Sequence, residues 1–205
     1  MFDARLRPLI DPPLNAAGRW LARRGISANA VTLAGLAPAL GAGGAIAAGH
    51  FSLALALILL NRLLDGLDGA VARSRGLTDF GGYLDTLADY VFYIAVPLGF
   101  GIVSADNTLP ALLLVASFTL TCASFLVYAA IAGRRGQQGS THGAKSFVYS
   151  TGLAEGAETI AVFIAMCLWP MHFPALAAGF AALCLLTVAQ RTALARREFC
   201  AKQNT

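Results

Sequence analysis

Charged residues are scarce in this chain. Of its 205 residues, 15 are Lys or Arg and 11 are Asp or Glu, so that only 13% are charged, against about a quarter in an ordinary soluble domain. Hydrophobic residues make up 57% of the sequence. This composition excludes an ordinary soluble domain, and the small net charge of +4 gives no reason to expect nucleic acid as a partner.

Cysteine is also rare. The four cysteines are Cys122, Cys167, Cys184 and Cys200, and no two of them form a Cys-x2-Cys pair. Three of them lie in apolar runs, where cysteine acts as a small packing residue. We therefore expect neither a disulfide framework nor a zinc site.

Long apolar runs fill most of the sequence. A helix needs roughly 20 apolar residues to cross the hydrocarbon core, so several spans fit in this length. We predict an all-α, polytopic membrane protein with about six transmembrane helices, forming a single domain over 1–205 with its bundle at 29–205. The predicted helices are 30–51, 52–75, 79–103, 109–132, 152–169 and 175–195.

The first 28 residues have a different pattern. Five arginines alternate there with apolar residues at helical intervals, which is typical of an amphipathic segment at the surface of an anionic membrane. Acids and prolines stand where the apolar core of a signal peptide would lie, so we expect none. Because prolines occupy positions 8, 12 and 13, two short helical pieces are predicted rather than one helix. A disordered tail is the alternative.

The positive charges are distributed asymmetrically. All 15 Lys and Arg fall in four ranges, 5–24, 62–75, 134–145 and 191–202. The turns predicted on the other side, near residues 50, 106 and 171, contain none. By the positive-inside rule, both termini and the loops after the second and fourth spans are cytoplasmic.

Five of the eleven acidic residues lie in one stretch, DGLDGAVARSRGLTDFGGYLDTLAD, which begins at Asp65 and ends at Asp89. Asp65 and Asp68 are three residues apart and Asp85 and Asp89 are four apart, so each pair shares a helix face. Ionisable residues in a span are costly and functional by default. Carboxylates this close repel one another unless a divalent cation binds them, since hard cations take oxygen ligands. The stretch predicts a metal site at the cytoplasmic end of the second and third helices.

The spacing within this stretch resembles a family signature. It reads Asp-x2-Asp-Gly-x2-Ala-Arg, seven residues, and then Gly-x3-Asp-x3-Asp. All eight named positions resemble the pattern of the CDP-alcohol phosphotransferases, integral membrane enzymes of phospholipid synthesis. The linker from Arg73 to Gly81 is one residue shorter than in the family, a change in the loop that leaves the carboxylates in place. In the first span, Asn29 and Thr32 resemble the family's Pro-Asn-x2-Thr without its proline.

The resemblance implies a reaction and a set of roles. Members of this family transfer a phosphorylated group from a CDP-linked lipid to an alcohol and release CMP. The metal ligands that the family pattern implies, for two Mg²⁺ or Mn²⁺ ions, are Asp65, Asp68, Asp85 and Asp89. The last two are the implied catalytic residues, and Asp89 fits the general base. Residues implied to contact the CDP moiety are Asn29, Thr32, Asp68, Gly69, Ala72, Arg73 and Gly81. Asn29 and Thr32 fit a helix cap equally well.

Several functions are compatible with these features. The leading prediction is a homodimeric enzyme of the bacterial inner membrane that transfers a phosphatidyl group from CDP-diacylglycerol to a polar alcohol. A CDP-choline or CDP-ethanolamine type of enzyme, whose acceptor is the lipid, is one alternative. A divalent-cation channel or transporter is another, and it would release no CMP. An ion-pair cluster of the four aspartates with Arg62 and Arg73 is the purely structural explanation of the motif.

Two further acids open the fifth predicted helix. Glu155 and Glu158 lie three residues apart in GLAEGAETIAVF and so share one face. Acids in a first turn favour the helix dipole, which is one explanation of the pair. The other is that they face the metal cavity and contact the hydroxyl or amine groups of the acceptor.

Overall fold

A computed structural model of the chain describes residues 3–134 and 156–201. In these two ranges the chain forms seven α-helices and no β-strand. The helices are α1 (Asp3–Arg23), α2 (Ala28–Ala47), α3 (Phe51–Arg75), α4 (Asp79–Val103), α5 (Thr108–Arg134), α6 (Gly156–Leu168) and α7 (Phe173–Ala201). Short 3₁₀ turns at Ala105–Asn107 and Pro170–His172 lead into α5 and α7. The prediction of an all-α protein is confirmed.

Four of these helices, α2, α4, α5 and α7, are long and apolar enough to cross a membrane, and α6 is a shorter apolar helix. α3 is apolar only as far as Leu60, because polar and charged residues of the motif occupy its second half. α7 runs to Ala201, past the predicted end at 195. Its last turns are held on α5, where the Tyr128 hydroxyl donates to Glu198. The chain is a polytopic membrane protein, as predicted.

The N-terminal segment is one continuous helix, so the prediction of two short pieces is wrong. Close packing against α3 provides the physical reason. A Cβ atom added to Gly18 would lie 2.6 Å from the Cβ of Ala70, so the two helices are in contact along their backbones. One turn earlier, the Leu14 side chain lies over Gly66 of α3. These contacts offset the backbone hydrogen bonds that the prolines of α1 remove.

α2 is the helix on which the site is built, since both α3 and α4 pack along it. Its contact with α4 is closest at two glycines. A Cβ added to Gly99 would lie 2.4 Å from the carbonyl oxygen of Gly43, and one added to Gly43 would lie 2.5 Å from the carbonyl oxygen of Ala95. Only glycine fits at these two positions, as small residues permit close packing of helices in lipid.

Gly99→Ala is expected to destabilise the protein by roughly 1–3 kcal/mol, because the added methyl group forces α2 and α4 apart. Gly44→Ala is the matched control, since a Cβ there has nothing within 4 Å. Thermal unfolding in detergent compares the two variants with the wild type. The midpoint should fall for Gly99→Ala alone, and equal midpoints in both variants would contradict the close contact.

Aromatic rings join α4 to the C-terminal helices. Phe100 of α4 stacks on Phe173 of α7 with ring centroids 4.3 Å apart. Phe92 of α4 meets Phe163 of α6 at 5.4 Å. All four rings are fully buried. They fix α4, which carries two of the motif aspartates, against α6 and α7. The four cysteines are free.

Candidate metal centre

A tight connection aligns the acidic ends of α3 and α4. Gly76 follows the last residue of α3 with φ 103°, a left-handed conformation that favours glycine. Thr78 then caps α4, where its Oγ1 accepts a hydrogen bond from the Gly81 N–H at 3.0 Å. Since both helices pack along α2, their acidic side chains face the space between them.

Three of the four motif aspartates come together in this space. Carboxylate oxygens of Asp65, Asp68 and Asp85 all lie within 4.8 Å of one another. Asp68 is only 5% exposed, and it lines a small cavity together with Thr32 of α2, whose hydroxyl donates to the Ala28 carbonyl at 3.1 Å. Three carboxylates at this separation repel one another, and a divalent cation relieves that repulsion. An all-oxygen donor set of this kind suits Mg²⁺ or Mn²⁺. We refer to these three residues as the aspartate triad.

Asp89 lies beside the triad and is paired with an arginine. The Arg62 Nη1 atom donates to an Asp89 carboxylate oxygen at 3.0 Å and lies 3.6 Å from Asp65 Oδ2. Arg62 therefore takes part in the ion pairs that the purely structural explanation required. Arg73 does not, because its Nη2 atom donates to the side chain of Asn15 at 3.0 Å.

Arg62 and Asn61 were not among the predicted site residues. The Asn61 Oδ1 atom accepts from the Nε and Nη2 atoms of Arg62 at 2.9 Å and 2.6 Å. Its Nδ2 atom donates to the Gly35 carbonyl at 3.0 Å. The guanidinium lies over the ring of Phe92, 4.1 Å from the centroid. A polar pair in a membrane helix, with Arg62 three residues before Asp65, was the available signal.

The predicted nucleotide contacts on α3 lie on the turns that follow Asp65. Gly69 and Ala72 are half-buried, and a Cβ at Gly69 would lie 3.3 Å from Arg73 Nη1. The bond from Arg73 to Asn15 brings α1 to the motif arginine, a contact that the sequence pattern did not predict. Because position 69 is a glycine, no side chain crowds the Arg73 guanidinium.

The predicted contacts on α2 and α4 border the triad from the other side. A Cβ added to Gly81 would lie 3.4 Å from Asn29 Oδ1, so the first turns of α2 and α4 are close here. The helix-cap interpretation of Asn29 and Thr32 is wrong, because Ser27 caps α2 and accepts from the Ala30 N–H at 3.2 Å. Thr32 lines the same small cavity as Asp68 instead.

A cavity of about 10 Å³ adjoins the triad. Its lining residues are Thr32, Gly35, Asn61, Arg62, Asp65, Asp68, Ala88 and Asp89. This is near the smallest volume that holds a single water molecule. A substrate must therefore approach the carboxylates from the side where Asp85 is exposed.

Only one of the two predicted acceptor-site glutamates lies in the described residues. Glu155 lies outside the described residues. Glu158 is in the first turn of α6, partly buried, and α6 packs on α3. A Cβ on the neighbouring Gly156 would lie 3.8 Å from the hydroxyl of Tyr93, whose ring centroid is 6.0 Å from the Arg62 guanidinium. The start of α6 is therefore on the Arg62 side of the site.

Membrane-spanning helices with three carboxylates gathered at one end define a membrane protein with a candidate divalent-cation site. The sequence profile of the CDP-alcohol phosphatidyltransferases matches residues 26–193 of the chain, which includes the triad and Asp89. The chain belongs to the CDP-alcohol phosphatidyltransferase family and is a membrane transferase of phospholipid biosynthesis. This confirms the resemblance seen in the motif.

Two relatives are similar in sequence. The chain is 44% identical over 192 residues to the inner membrane protein YnjF of Escherichia coli, with 93% of each chain covered. It is 34% identical over 110 residues to the archaetidylinositol phosphate synthase of Pyrococcus horikoshii, a match that covers 51% of this chain and 58% of the relative.

Solved structures with the same fold come from Mycobacterium tuberculosis. The phosphatidylinositol phosphate synthase PgsA1 with CDP-DAG bound is 22% identical, with a TM-score of 0.64 and coverage of 87% of this chain and 91% of PgsA1. The structure of PgsA1 with manganese and citrate has the same TM-score at 23% identity and covers 87% of each chain. The fold is thus one that a known phospholipid synthase adopts.

Proposed function

We propose that this protein transfers a phosphatidyl group from CDP-diacylglycerol to the hydroxyl group of a polar alcohol and releases CMP. The observation that carries the proposal is the aspartate triad, whose carboxylate oxygens lie within 4.8 Å of one another inside the family motif. Family membership supports the reaction class. CDP-diacylglycerol as the donor is supported by the relative that was solved with CDP-DAG bound.

The proposed cofactor is Mg²⁺ or Mn²⁺, as two ions. Asp65, Asp68 and Asp85 would hold one ion, and Asp85 and Asp89, one helical turn apart, would hold the other. Bound cations would neutralise the pyrophosphate of the donor and stabilise the departing CMP. The relative solved with manganese and citrate supports a divalent ion in this fold.

The other proposed roles follow from residue chemistry. Asp89 takes the proton from the attacking hydroxyl group, since a carboxylate beside the cluster is placed to act as a general base. Arg73 donates hydrogen bonds to phosphate oxygens. Gly69 and Ala72 leave room for the nucleotide on α3. On the facing helices, the proposed CDP site is completed by Asn29, Thr32 and Gly81.

Purified protein in detergent tests the function directly. CMP release is measured with CDP-diacylglycerol and a panel of acceptors, including glycerol phosphate, serine and inositol phosphate. We expect release that requires both an acceptor and Mg²⁺ or Mn²⁺. Full activity in excess chelator would contradict the proposal. CMP release only from CDP-choline or CDP-ethanolamine with diacylglycerol would favour the alternative enzyme class, and no release from any donor would favour a transporter.

We also propose that the chain is a single domain over 1–205 in the bacterial inner membrane, with both termini and the active site cytoplasmic. The positive-inside distribution supports the orientation, and the similarity to an E. coli inner membrane protein supports the compartment. Cys200, exposed near the C-terminal end of α7, provides the measurement. In sealed inverted vesicles a membrane-impermeant thiol reagent should label it, whereas labelling only in right-side-out vesicles would reverse the orientation.

A homodimer is the proposed assembly. Spans rich in glycine and alanine permit a second copy to pack closely in the membrane. The mass of the protein–detergent complex is expected to correspond to two chains. A complex with a single chain at all protein concentrations would exclude the dimer.

Glu158→Gln tests the proposed acceptor site. If Glu158 contacts the acceptor, the acceptor KM should rise about tenfold, which corresponds to one lost charged hydrogen bond. The affinity for CDP should stay unchanged. Glu155→Gln, at the other predicted position, is measured in parallel. Wild-type KM values in both variants would assign the pair to helix capping.

A further inference from the structure

Arg62 is held from every side in a position that the catalytic motif does not include. Its side chain is only 13% exposed. Two of its nitrogen atoms donate to Asn61, a third donates to Asp89, and its guanidinium plane lies over the Phe92 ring. Asn61 is itself 5% exposed and tied to the Gly35 carbonyl of α2. The guanidinium is therefore fixed and cannot swing away without breaking a buried network.

Arg62 lies between Asp89, the proposed base, and the aspartate triad. Its Nη1 atom is 3.0 Å from Asp89 and 3.6 Å from Asp65, so one permanent positive charge is shared between the base and the triad. Arginine stays protonated in proteins. A divalent cation at the cluster is repelled by this charge, and the two cations attract the same carboxylates.

We propose that Arg62 is a positioning residue that holds the Asp89 carboxylate beside the triad and, by competing with the divalent cation for it, limits how tightly the acidic cluster binds metal. This inference rests on the proposed function. The arginine keeps Asp89 oriented for proton transfer and weakens, without abolishing, the hold of Asp89 on the second ion. Asn61 acts through Arg62, since it fixes two of the guanidinium nitrogens.

Mn²⁺ binding to the full-length protein, measured by calorimetry in detergent, separates this role from a merely structural one. Arg62→Gln removes the competing charge, so Mn²⁺ should bind at least about tenfold more tightly. The same variant should release CMP about tenfold more slowly, because Asp89 is no longer held in place. Damage to the fold would weaken metal binding, which is the opposite direction.

Arg62→Lys keeps the charge and loses the planar fork of donors. Its Mn²⁺ affinity should stay within about threefold of the wild type, while its kcat falls because a point charge does not orient Asp89. This split can be measured even where the neutral variant fails to fold. A wild-type kcat in Arg62→Lys would overturn the inference.

Arg75→Gln is the matched control. It removes the same charge from the same helix, but the Arg75 side chain donates to the Gly25 and Ile26 carbonyls at 3.2 Å and 3.1 Å. Because Arg75 is exposed and its charge is screened, its Mn²⁺ affinity should stay within about twofold of the wild type. Unchanged or weaker Mn²⁺ binding in Arg62→Gln would overturn the inference. Failure of the wild type to release CMP would overturn the proposed function alone, since the Mn²⁺ titration does not depend on turnover.

Discussion

Asp68→Asn is expected to abolish CMP release while the protein still folds and inserts. Asp68 is the buried member of the aspartate triad, at 5% exposure. An amide in its place removes one of three clustered negative charges and weakens the hold on a divalent cation. Since metal catalysis supplies several kcal/mol and each 1.36 kcal/mol is tenfold in rate, the loss should be on the order of 1,000-fold.

Stability provides the control for this variant. Three carboxylates within 4.8 Å repel one another, so the amide should leave the unfolding midpoint in chelator unchanged or raise it. The stabilisation that the wild type gains from Mn²⁺ should be lost. Asp106→Asn makes the same substitution at an exposed turn at the opposite end of α4 and should behave as the wild type. Transfer by Asp68→Asn at the wild-type rate would remove the triad from the mechanism.

Asp89→Asn is expected to slow transfer by a factor on the order of 100 or more, the usual contribution of a general base. Asp89 lies outside the triad and is bonded to Arg62 at 3.0 Å. Nucleotide binding should therefore survive better in this variant than in Asp65→Asn or Asp68→Asn, which remove members of the triad itself.

The measurement combines single-turnover transfer with CDP binding in the presence of Mn²⁺. A slow transfer step with CDP affinity close to the wild type is the expected pattern. Equal losses of CDP affinity in Asp65→Asn and Asp89→Asn would instead mean that Asp89 contributes to nucleotide binding as much as the triad does. Normal turnover would exclude it as the base.

The triad was predictable from sequence because its geometry is local. Asp65 and Asp68 share a face of α3 through the helical repeat, and only three residues separate α3 from α4, so Asp85 had to lie nearby. The long apolar helices α2, α4, α5 and α7 were predictable for a related reason, since apolar length alone defines a span. Both inferences need no knowledge of how distant parts of the chain pack.

The partner of Asp89 could not be predicted in the same way. A carboxylate at position 89 can face either the triad or Arg62, and the choice depends on how α3 and α4 are spaced along α2. That spacing is set by the contact of Gly43 with Gly99, in which a difference of one methyl group changes the distance between helices. Sequence showed that small residues were abundant in α2, but not which of them touch.

The course of α1 shows the same limit. Three prolines argued for a break on local grounds. The contact of Gly18 with Ala70 of α3 outweighs them, and it joins residues that are far apart in sequence. The bond from Arg73 to Asn15 depends on that docking as well. Tertiary contacts of this kind have no periodic signature in a single sequence.

The short apolar half of α3 fixes how deep the chemistry takes place. Asp65 is fourteen residues beyond Phe51, about 21 Å along the helix, and Asp85 is eighteen residues before Val103, about 27 Å. Both lengths are less than the roughly 30 Å of the hydrocarbon core. Counted from Phe51 and Val103 at the opposite membrane surface, the carboxylates are expected just inside one face of the bilayer, near the headgroups of that leaflet.

In the proposed reaction, a lipid-linked donor would reach the carboxylates by diffusing sideways, with its acyl chains still in the membrane, whereas a polar acceptor would arrive from the water. The effective concentrations of the two substrates would then be defined differently. The rate would depend on the donor's mole fraction among the surrounding lipids, however dilute the suspension, and on the acceptor's concentration in the aqueous volume.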